Sequence, residues 1–339
     1  MAVVIVKRGA ARKRSRPGLG AELAALEAEL AALEAATDPV VGAAAKRLER
    51  LKKEIVAKPA PARPFIKWAG GKTQLLGELV ERLPETFVGY HEPFVGGGAL
   101  FWKLAELRRL RKGQVVLSDA CAPLVRAWRG VKDDAEGLVH RLGLYPVTAA
   151  HFDAVRQVDP MTLEEDAEAA AWFIYLNKTG YNGMYRVNLK GRFNIPWGHW
   201  EEQGRTPAVL DEPNLLACAE VLTRLRVAVT TRPFEEVLHY ARPGDLVYLD
   251  PPYLPRSATS DFTSYTPGGF GFDDHRRLRD VARELKERGV YIMLSNSDTP
   301  LIRELYESWS AFRVDVVEAR RSINSKGDGR GAVREIIVR

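Results

Sequence analysis

The segment Asp250-Pro251-Pro252-Tyr253 carries the chemistry that this sequence indicates most directly. It follows the apolar run at residues 246–249, which is typical of a buried parallel strand. In open α/β sheets ligands bind at the carboxyl ends of the strands, and two consecutive prolines cannot continue a strand. Asp250 and a carbonyl of the proline pair could accept both hydrogens of an exocyclic amine, while Tyr253 stacks on its ring. The alternative is an ordinary Asp-Pro turn, so the neighbouring motifs must decide.

A glycine-rich turn lies upstream, where residues 91–102 read His-Glu-Pro-Phe-Val-Gly-Gly-Gly-Ala-Leu-Phe-Trp before a predicted helix. Asp119 then follows a predicted strand at residues 114–118. Glycines let the backbone approach a cofactor, and a carboxylate at the next strand end suits a ribose diol. The phosphate-binding pattern G-x-G-x-x-G is not matched, because Phe101 stands at its last glycine. We therefore predict a nucleoside cofactor without phosphates.

A second glycine turn lies in residues 65–73, Phe-Ile-Lys-Trp-Ala-Gly-Gly-Lys-Thr. Its Gly-Lys-Thr ending resembles a nucleotide triphosphate site, but the Walker pattern needs a glycine where Ile66 stands. Two lysines and a tryptophan flank the turn, which predicts a site for a carboxylate and an adjoining apolar chain. The alternative is a plain glycine turn before a helix.

Composition limits the class of protein. The chain has 339 residues, of which 46% are hydrophobic, enough for one catalytic domain, an inserted module and an extension. Two cysteines and six histidines show neither a disulfide framework nor a metal-ligand spacing, so no metal is predicted. The apolar start at residues 2–6 is too short for a signal peptide, and no stretch approaches the length of a membrane span. These features predict a cytoplasmic protein.

Residues 1–62 differ from the rest. They contain 12 Lys or Arg and 7 Asp or Glu, so they carry +5 of the total charge of +6 and leave +1 for residues 63–339. A basic tail precedes apolar residues spaced by three and four across residues 21–57, which predicts a helical hairpin or a coiled coil. The extension either docks on the core or mediates self-association, and residues 58–64 form a proline-rich linker.

The remaining sequence alternates helix and strand over residues 63–149 and again over 218–339. This pattern predicts an α/β, doubly wound sheet that residues 150–217 interrupt. The interruption mixes aromatic and basic side chains in a way that suits phosphates, base edges and a wedge between bases. The alternative is a small aromatic core with a solvated basic face. The aromatic residues concerned are Trp172, Tyr175, Tyr181, Tyr185, Trp197 and Trp200, interleaved with Lys178, Arg186, Lys190 and Arg192.

Together and in this order, the segments resemble the Dam-type (D12 class, alpha group) DNA adenine N6-methyltransferases, which include relatives that protect DNA from GATC-cutting restriction enzymes. The resemblance runs from about Pro64 to the carboxyl terminus through the Lys-Trp-Ala-Gly-Gly-Lys, Pro-Phe-Val-Gly-Gly-Gly and Asp-Pro-Pro-Tyr segments. It implies a Rossmann-like methyltransferase sheet, a mainly helical target-recognition insertion and, here, an N-terminal helical extension. Further matches lie at residues 181–188, 193–198, 261–266, 293–297 and 334–338.

The resemblance implies direct methyl transfer from S-adenosylmethionine to adenine N6, without a metal. Asp250, Pro251, Pro252 and Tyr253 become the catalytic segment, in which Asp250 and the Pro251 carbonyl bind the amine. The residues assigned to the cofactor are Trp68 and Lys72 at its methionine end, Phe94, Gly96 and Gly98 along its body, Asp119 at its ribose, Phe234, which can stack on its base, and Asp250.

Double-stranded DNA is the partner that the resemblance implies, with the target adenine flipped out of the stack and the protein associated with the nucleoid. In the resembling enzymes an arginine at the position of Arg186 reads guanine, an aromatic residue at Tyr181 wedges into the stack, and a proline at Pro196 packs near thymine. We therefore expect GATC as the recognition sequence. The DNA-binding residues assigned in this way are Lys67, Tyr181, Asn182, Met184, Arg186, Asn188, Pro196, His199, Trp200, Phe262 and Tyr265.

This chain departs from the family at two places, and other functions stay open. Pro233 replaces an aspartate that would bind the adenine amine of the cofactor, and His199 and Trp200 differ from the usual residues. A cytosine N4-methyltransferase would more often have serine at position 250, and a protein-glutamine methyltransferase would favour asparagine there. A non-catalytic DNA-binding or scaffolding protein is the third alternative, against which the intact Asp250 and Asp119 argue.

Overall fold

A computed structural model describes residues 61–200, 202, 204–254, 269–320 and 332–339. From Pro61 onward the described residues form one compact unit. The basic tail, the predicted helical hairpin and the self-association predicted through residues 21–57 lie outside the described residues, as do Phe262 and Tyr265. Within the described ranges, no helix has the length and apolar character needed to cross a membrane.

The centre of the fold is a seven-stranded sheet with the order β3-β2-β1-β4-β5-β7-β6. Strands β1 to β5 pair in parallel, whereas β7 runs antiparallel to both β5 and β6. The predicted doubly wound α/β sheet is therefore confirmed. The strands are β1 (Tyr90–Glu92), β2 (Val115–Asp119), β3 (Ala228–Thr231), β4 (Leu246–Leu249), β5 (Tyr291–Ser297), β6 (Val314–Arg320) and β7 (Ala332–Val338).

Ten α-helices of the described chain surround this sheet. Short 3₁₀ turns at Tyr181–Gly183 and Phe234–Glu236 accompany them. The helices are α1 (Leu76–Glu81), α2 (Ala99–Glu106), α3 (Ala122–Asp133), α4 (Ala135–Gly143), α5 (Ala149–Val155), α6 (Asp166–Thr179), α7 (Glu212–Arg224), α8 (Val237–Tyr240), α9 (Phe272–Glu287) and α10 (Pro300–Glu307).

Strand β4 shows why the sheet needs a helical layer on each face. All four of its residues are buried. Leu246 and Tyr248 belong to one hydrophobic cluster, whereas Val247 and Leu249 belong to another, because successive side chains of a strand point to opposite faces. Such a strand reads as a continuous apolar run, which is why the sequence predicts it with the bounds that the structure has.

The chain order reverses between β1 and β4. From β1 the chain proceeds outward to β2 and β3, and it then returns to β4 on the other side of β1 before reaching β5. Connections on opposite sides leave a crevice outside the carboxyl ends of β1 and β4, where open α/β sheets bind ligands. The sheet thus places Glu92, Asp119 and Asp250, which end or follow β1, β2 and β4, at one edge.

Residues 150–217 contain most of α5, all of α6, the start of α7 and a short hairpin that closes through the antiparallel bridges Gly180–Trp197 and Val187–Phe193. Most of their aromatic side chains do not face solvent. Trp172, Tyr175, Tyr185 and Trp197 are buried, and they join the same hydrophobic cluster as one face of the sheet. For these four residues the structure supports the alternative of an aromatic core over a DNA-facing surface, because their rings complete the core. Tyr181 differs, being 42% exposed.

Strand β6 was not predicted from the sequence. Its residues Val314–Arg320 mix apolar and charged side chains, and it lies at the edge of the sheet, where only β7 pairs with it. Asp315 on this strand accepts hydrogen bonds from Arg313 and Arg339. An edge strand with a polar face lacks the continuous apolar run that identifies the central strands.

A buried carboxylate fastens the amino-terminal ends of β1 and β4. Asp245 is 6% exposed and accepts hydrogen bonds from the backbone N–H of Gly89 (2.7 Å) and of Arg242 (2.9 Å). Its second oxygen also lies 2.9 Å from Nε2 of His91. Three donors therefore depend on one side chain at the start of the central strands.

We expect Asp245→Ala to lower the free energy of unfolding by about 3 kcal/mol, because it leaves buried donors without their acceptor. Chemical denaturation followed by circular dichroism measures this loss. Asp273→Ala removes a carboxylate whose side chain is 88% exposed, and this control should change stability by less than about 0.5 kcal/mol. Equal losses in the two variants would contradict the role of Asp245.

Candidate active site

Asp250 is the first residue after β4, and its carboxylate is the centre of the polar cluster at the sheet edge. Lys72 Nζ lies 2.7 Å from its Oδ1, and the hydroxyl of Ser295 donates to the same oxygen at 2.8 Å. Burial raises the pKa of Asp250, while the charge and hydrogen bond of Lys72 and the hydrogen bond of Ser295 oppose that rise. The ion pair therefore favours the ionised, hydrogen-bond-accepting form of this carboxylate.

Lys72 also defines one wall of the cluster. It is 6% exposed, it donates to the carbonyl of Gly70 at 2.7 Å, and its Nζ lies 4.3 Å from the ring centroid of Tyr253. The turn at residues 70–72 thus places a cation between the carboxylate and the aromatic ring of the Asp-Pro-Pro-Tyr segment. These two segments are far apart in sequence, and the structure brings them together through Lys72, for which the sequence predicted a contact with the cofactor and not with Asp250.

The hydroxyl end of the Tyr253 side chain is held by a residue of another strand. Its hydroxyl donates to Oε2 of Glu335 on β7 at 2.6 Å. On β5, Ser295 is linked to the hydroxyl of Tyr248 at 3.1 Å in addition to its bond to Asp250. No role was predicted for Glu335 or Ser295, although both lie in segments that match the family. Their polar types within buried strands are the signal that could have identified them.

The glycine turn between β1 and α2 is shaped by two tryptophans. Gly96 and Gly98 have φ values of +46° and +66°, which favour glycine. A Cβ at Gly96 would lie 2.5 Å from the ring of Trp68, and one at Gly98 would lie 2.6 Å from that of Trp128. We predicted that these glycines contact a cofactor, but the close packing of the two indole rings is enough to require glycine at both positions.

Asp119 ends β2 beside this turn. Its two oxygens accept the backbone N–H of Gly96 at 3.2 Å and of Cys121 at 2.9 Å. Burial raises the pKa of Asp119 to about 6, against which these backbone hydrogen bonds act. The carboxylate is thus ionised at neutral pH and held at a fixed position next to the glycine turn.

Two further features border the cluster. The rings of Phe94 and Phe234 stack with a centroid distance of 5.5 Å and an interplanar angle of 26°. Glu92, at the end of β1, is 2% exposed and accepts a hydrogen bond from Tyr90 at 2.7 Å. Burial raises the pKa of Glu92 to about 8, so its carboxyl group is mostly protonated at pH 7. The sequence assigned no role to Glu92, which stands two residues before Phe94.

The hairpin residues form a second, more exposed group. Lys67, Tyr181, Asn182, Pro196 and His199 are exposed. Asn182 and His199 have positive φ values of 56° and 54°, a backbone conformation that is uncommon for residues other than glycine. Lys67 lies at the start of the Lys-Trp-Ala-Gly-Gly-Lys segment and contacts this hairpin through Gly183. The structure therefore brings the two predicted DNA-binding segments together.

Other predicted DNA-binding residues have partners inside the protein. Nε of Arg186 donates to Oδ1 of Asn194 at 2.9 Å, and the indole N–H of Trp200 donates to the carbonyl of Thr179 at 2.7 Å. Oδ1 of Asn188 accepts two backbone N–H groups, so this side chain caps the hairpin turn. Met184, Arg186 and Trp200 are half-buried.

This arrangement is a polar cluster at a sheet edge, in which a carboxylate, an aromatic ring and a buried ammonium group lie together. In the part of the chain that the structure describes, no group of three or more His, Cys, Asp or Glu side chains is arranged to hold a metal ion. A carboxylate and a carbonyl can accept the amine hydrogens of a planar base, and an aromatic ring can stack on the base itself.

Comparison with known proteins identifies the family. Residues 68–323 match the family model of the D12 class N6 adenine-specific DNA methyltransferases. The type II methyltransferase M1.LlaDCHI of Lactococcus lactis subsp. cremoris is 38% identical over 284 residues, which cover 81% of this chain and 94% of that protein.

In two further relatives the similar region covers nearly the whole length of the protein. The type II methyltransferase M.MjaIII of Methanocaldococcus jannaschii is 38% identical over 294 residues, covering 81% of this chain and 98% of its own. The DNA adenine methylase of Escherichia coli K12 is 32% identical over 281 residues, which cover 81% of this chain and 94% of that protein. The matched region contains the Asp250 cluster, the glycine turn and the hairpin. The chain therefore belongs to the D12 class of N6 adenine-specific DNA methyltransferases, and it is an adenine-specific DNA methyltransferase.

Proposed function

We propose that this enzyme transfers the methyl group of S-adenosylmethionine to N6 of an adenine that is flipped out of double-stranded DNA, within the sequence GATC. The observation that carries the proposal is the Asp250 carboxylate beside Tyr253 at the carboxyl end of β4. A carboxylate and a ring at this position match what an amine on a planar base requires.

The residues around the crevice fit S-adenosylmethionine by their chemistry. Lys72 supplies a cation for the methionine carboxylate, and Asp119 supplies an ionised acceptor for the ribose hydroxyls. Phe94 and Phe234 supply apolar rings for the cofactor base. Pro233 offers no acceptor to the amine of that base, a loss of about 1 kcal/mol or less if water substitutes. When bound, the cofactor supplies an electrophilic methyl group.

Asp250 and Pro251 prepare the amine. The nitrogen of adenine N6 is conjugated into the ring and is therefore a poor nucleophile. If the carboxylate of Asp250 and the carbonyl of Pro251 accept its two hydrogens, the lone pair is localised and oriented. Tyr253, held by Glu335 at 2.6 Å, provides the ring on which adenine stacks, with Pro252 fixing the turn between them. Each contribution is positional, so no covalent intermediate with the enzyme is required.

Lys72 links the proposed cofactor site to the catalytic carboxylate. In the structure its Nζ holds Oδ1 of Asp250 and covers the ring of Tyr253, which are the two groups that the target base needs. Two of the three ammonium hydrogens are directed at Gly70 and Asp250, so the third would be available to a cofactor carboxylate while the ion pair with Asp250 is kept.

DNA recognition is assigned to Lys67 and the hairpin. Tyr181 is exposed at the turn where a wedge into the base stack would be placed, and Arg186 and Pro196 stand at the family positions that contact guanine and thymine. Asn194 orients the guanidinium of Arg186 at 2.9 Å, which favours a defined approach to a base edge. Extrusion of the adenine is needed because N6 is unreachable inside the duplex stack.

The recognition sequence is tested by digestion. We expect DNA treated with this protein and S-adenosylmethionine to resist a nuclease that adenine methylation in GATC blocks. Methylome sequencing of a methylation-free host that expresses the chain then reports the base and the sequence together. Full cleavage combined with adenine methylation at another sequence would refute GATC and leave the chemistry intact.

Asp250→Ala should abolish adenine methylation, because a methyl side chain offers no acceptor to the amine. We expect the rate to fall well beyond tenfold, which corresponds to about 1.4 kcal/mol of activation free energy. The measurement is single-turnover methylation of a GATC duplex, with circular dichroism to verify the fold. Asp273→Ala on the exposed face of α9 is the control and should retain the wild-type rate. Retention of more than about a tenth of that rate in Asp250→Ala would overturn the assignment.

Cofactor affinity should depend on pH through Asp119. Burial raises the pKa of this group to about 6, and ribose hydroxyls donate to its ionised form. Binding of S-adenosylmethionine is therefore expected to weaken as the pH falls below 6, by up to about tenfold per pH unit. Isothermal titration between pH 5 and 8 measures this effect, and Asp119→Asn should remove the pH dependence while lowering affinity. An unchanged profile in Asp119→Asn would exclude this role.

A further inference from the structure

Asn177 lies near the end of α6 and is 1% exposed. Its Oδ1 accepts the backbone N–H of Lys67 at 2.9 Å. Its Nδ2 donates to the carbonyl of Lys67 at 2.8 Å and to the carbonyl of Gly183 at 2.9 Å. One buried amide therefore joins both sides of a single residue of the Lys-Trp-Ala-Gly-Gly-Lys segment to the turn of the hairpin.

The orientation of this amide is fixed by its partners. The N–H of Lys67 can only donate, and the two carbonyls can only accept, so the oxygen and nitrogen of Asn177 cannot be exchanged. Both amide hydrogens and the oxygen are used. A buried amide with every group satisfied holds its neighbours rigidly, because each bond is costly to leave unmade.

The contact between Lys67 and Gly183 extends beyond the shared amide. Gly183 has φ +64°, and a Cβ placed on it would lie 2.8 Å from Cδ and 3.3 Å from Cβ of Lys67. The aliphatic part of the Lys67 side chain therefore runs along the glycine of the hairpin turn. On the other side of that turn, the N–H of Tyr181 donates to the carbonyl of Pro196 at 2.9 Å.

We propose that Asn177 is a positioning residue for sequence recognition, which holds Lys67 in register with the turn that carries Tyr181 and Asn182. This inference rests on the proposed function, in which Lys67 and the turn contact DNA. Asn177 is buried within the protein and acts through Lys67 instead of touching DNA. Its loss should let Lys67 and the turn move independently, which blurs the distinction between cognate and near-cognate sites.

Asn214 on α7 provides a matched control. It is also buried, at 7% exposed, and it also clamps both sides of one residue, Arg63, which lies four positions before Lys67. Its Oδ1 accepts the N–H of Arg63 and its Nδ2 donates to the carbonyl of Arg63, each at 3.1 Å. It has no bond to the hairpin turn among its described contacts. Asn214→Ala therefore reports the effect of losing a structural clamp alone.

The measurement is the ratio of kcat/KM on a GATC duplex to kcat/KM on duplexes with one base pair of the site changed. We expect Asn177→Ala to lower this ratio about fivefold or more at the pair that Lys67→Ala affects, since one good base contact is worth at least that factor. Asn214→Ala should leave the ratio within about twofold, because its bonds do not reach a DNA-binding residue. Thermal denaturation of each variant separates this effect from lost stability.

Two additional variants test the coupling. In the double variant Lys67→Ala/Asn177→Ala, the ratio should be no lower than in Lys67→Ala alone, because Asn177 acts through Lys67. Gly183→Ala leaves the amide intact but adds a Cβ against the Lys67 side chain at a positive φ, and it should lower the ratio at the same base pair. It therefore tests the inference even if Asn177→Ala does not fold.

The outcomes separate the inference from the proposed function. A wild-type enzyme that does not prefer GATC refutes the proposed recognition sequence, and the ratio is then measured on the sequence that methylome sequencing identifies. A drop in the ratio for Lys67→Ala without one for Asn177→Ala and Gly183→Ala overturns the positioning role alone. Equal drops for Asn177→Ala and Asn214→Ala, or additive losses in the double variant, overturn it as well. An unaffected ratio in Lys67→Ala refutes the recognition role of Lys67 and with it the positioning role of Asn177, and it leaves the proposed methylation reaction intact.

Discussion

An ionised carboxylate in a buried site needs a compensating charge, and the ion pair of Lys72 with Asp250 supplies it at 2.7 Å. Burial alone raises the pKa of Asp250 and would favour the protonated carboxyl group. A protonated carboxyl group accepts an amine hydrogen less well than a carboxylate does. The hydroxyl of Ser295 adds a second donor on the same side. The active site therefore depends on three segments, the turn before α1, the end of β4 and β5, remaining in one arrangement.

The sheet order maintains that arrangement. Strand β4 lies between β1 and β5, so the residue after β4 faces the glycine turn on one side and Ser295 on the other. Strand β7 lies next to β5 in the sheet, antiparallel to it, and places Glu335 at the hydroxyl of Tyr253. A partner 82 residues away in sequence thus fixes the ring on which the target base is proposed to stack.

Aromatic packing joins the glycine turn after β1 to the hairpin. The ring of Trp68 lies against Gly96 of the glycine turn, and it also stacks on Tyr185 and Phe173, with centroid distances of 5.9 and 6.2 Å. Tyr185 belongs to the hairpin that is proposed to recognise DNA. Because closely packed rings cannot move independently, a displacement of the glycine turn should also displace the hairpin, and the reverse. The buried amide of Asn177 provides a second link between the same two segments.

The sequence by itself determined the central strands, the doubly wound fold class and the family. These follow from local signals, since an apolar run such as Leu246–Leu249 or a proline pair after Asp250 has the same meaning in any context. The tertiary structure alone decided which aromatic side chains fill the core, as Tyr185 and Trp197 do, and which partners Asp250 and Tyr253 have. The physical reason is that burial and hydrogen bonding between distant segments depend on sheet order and packing, which no local pattern encodes.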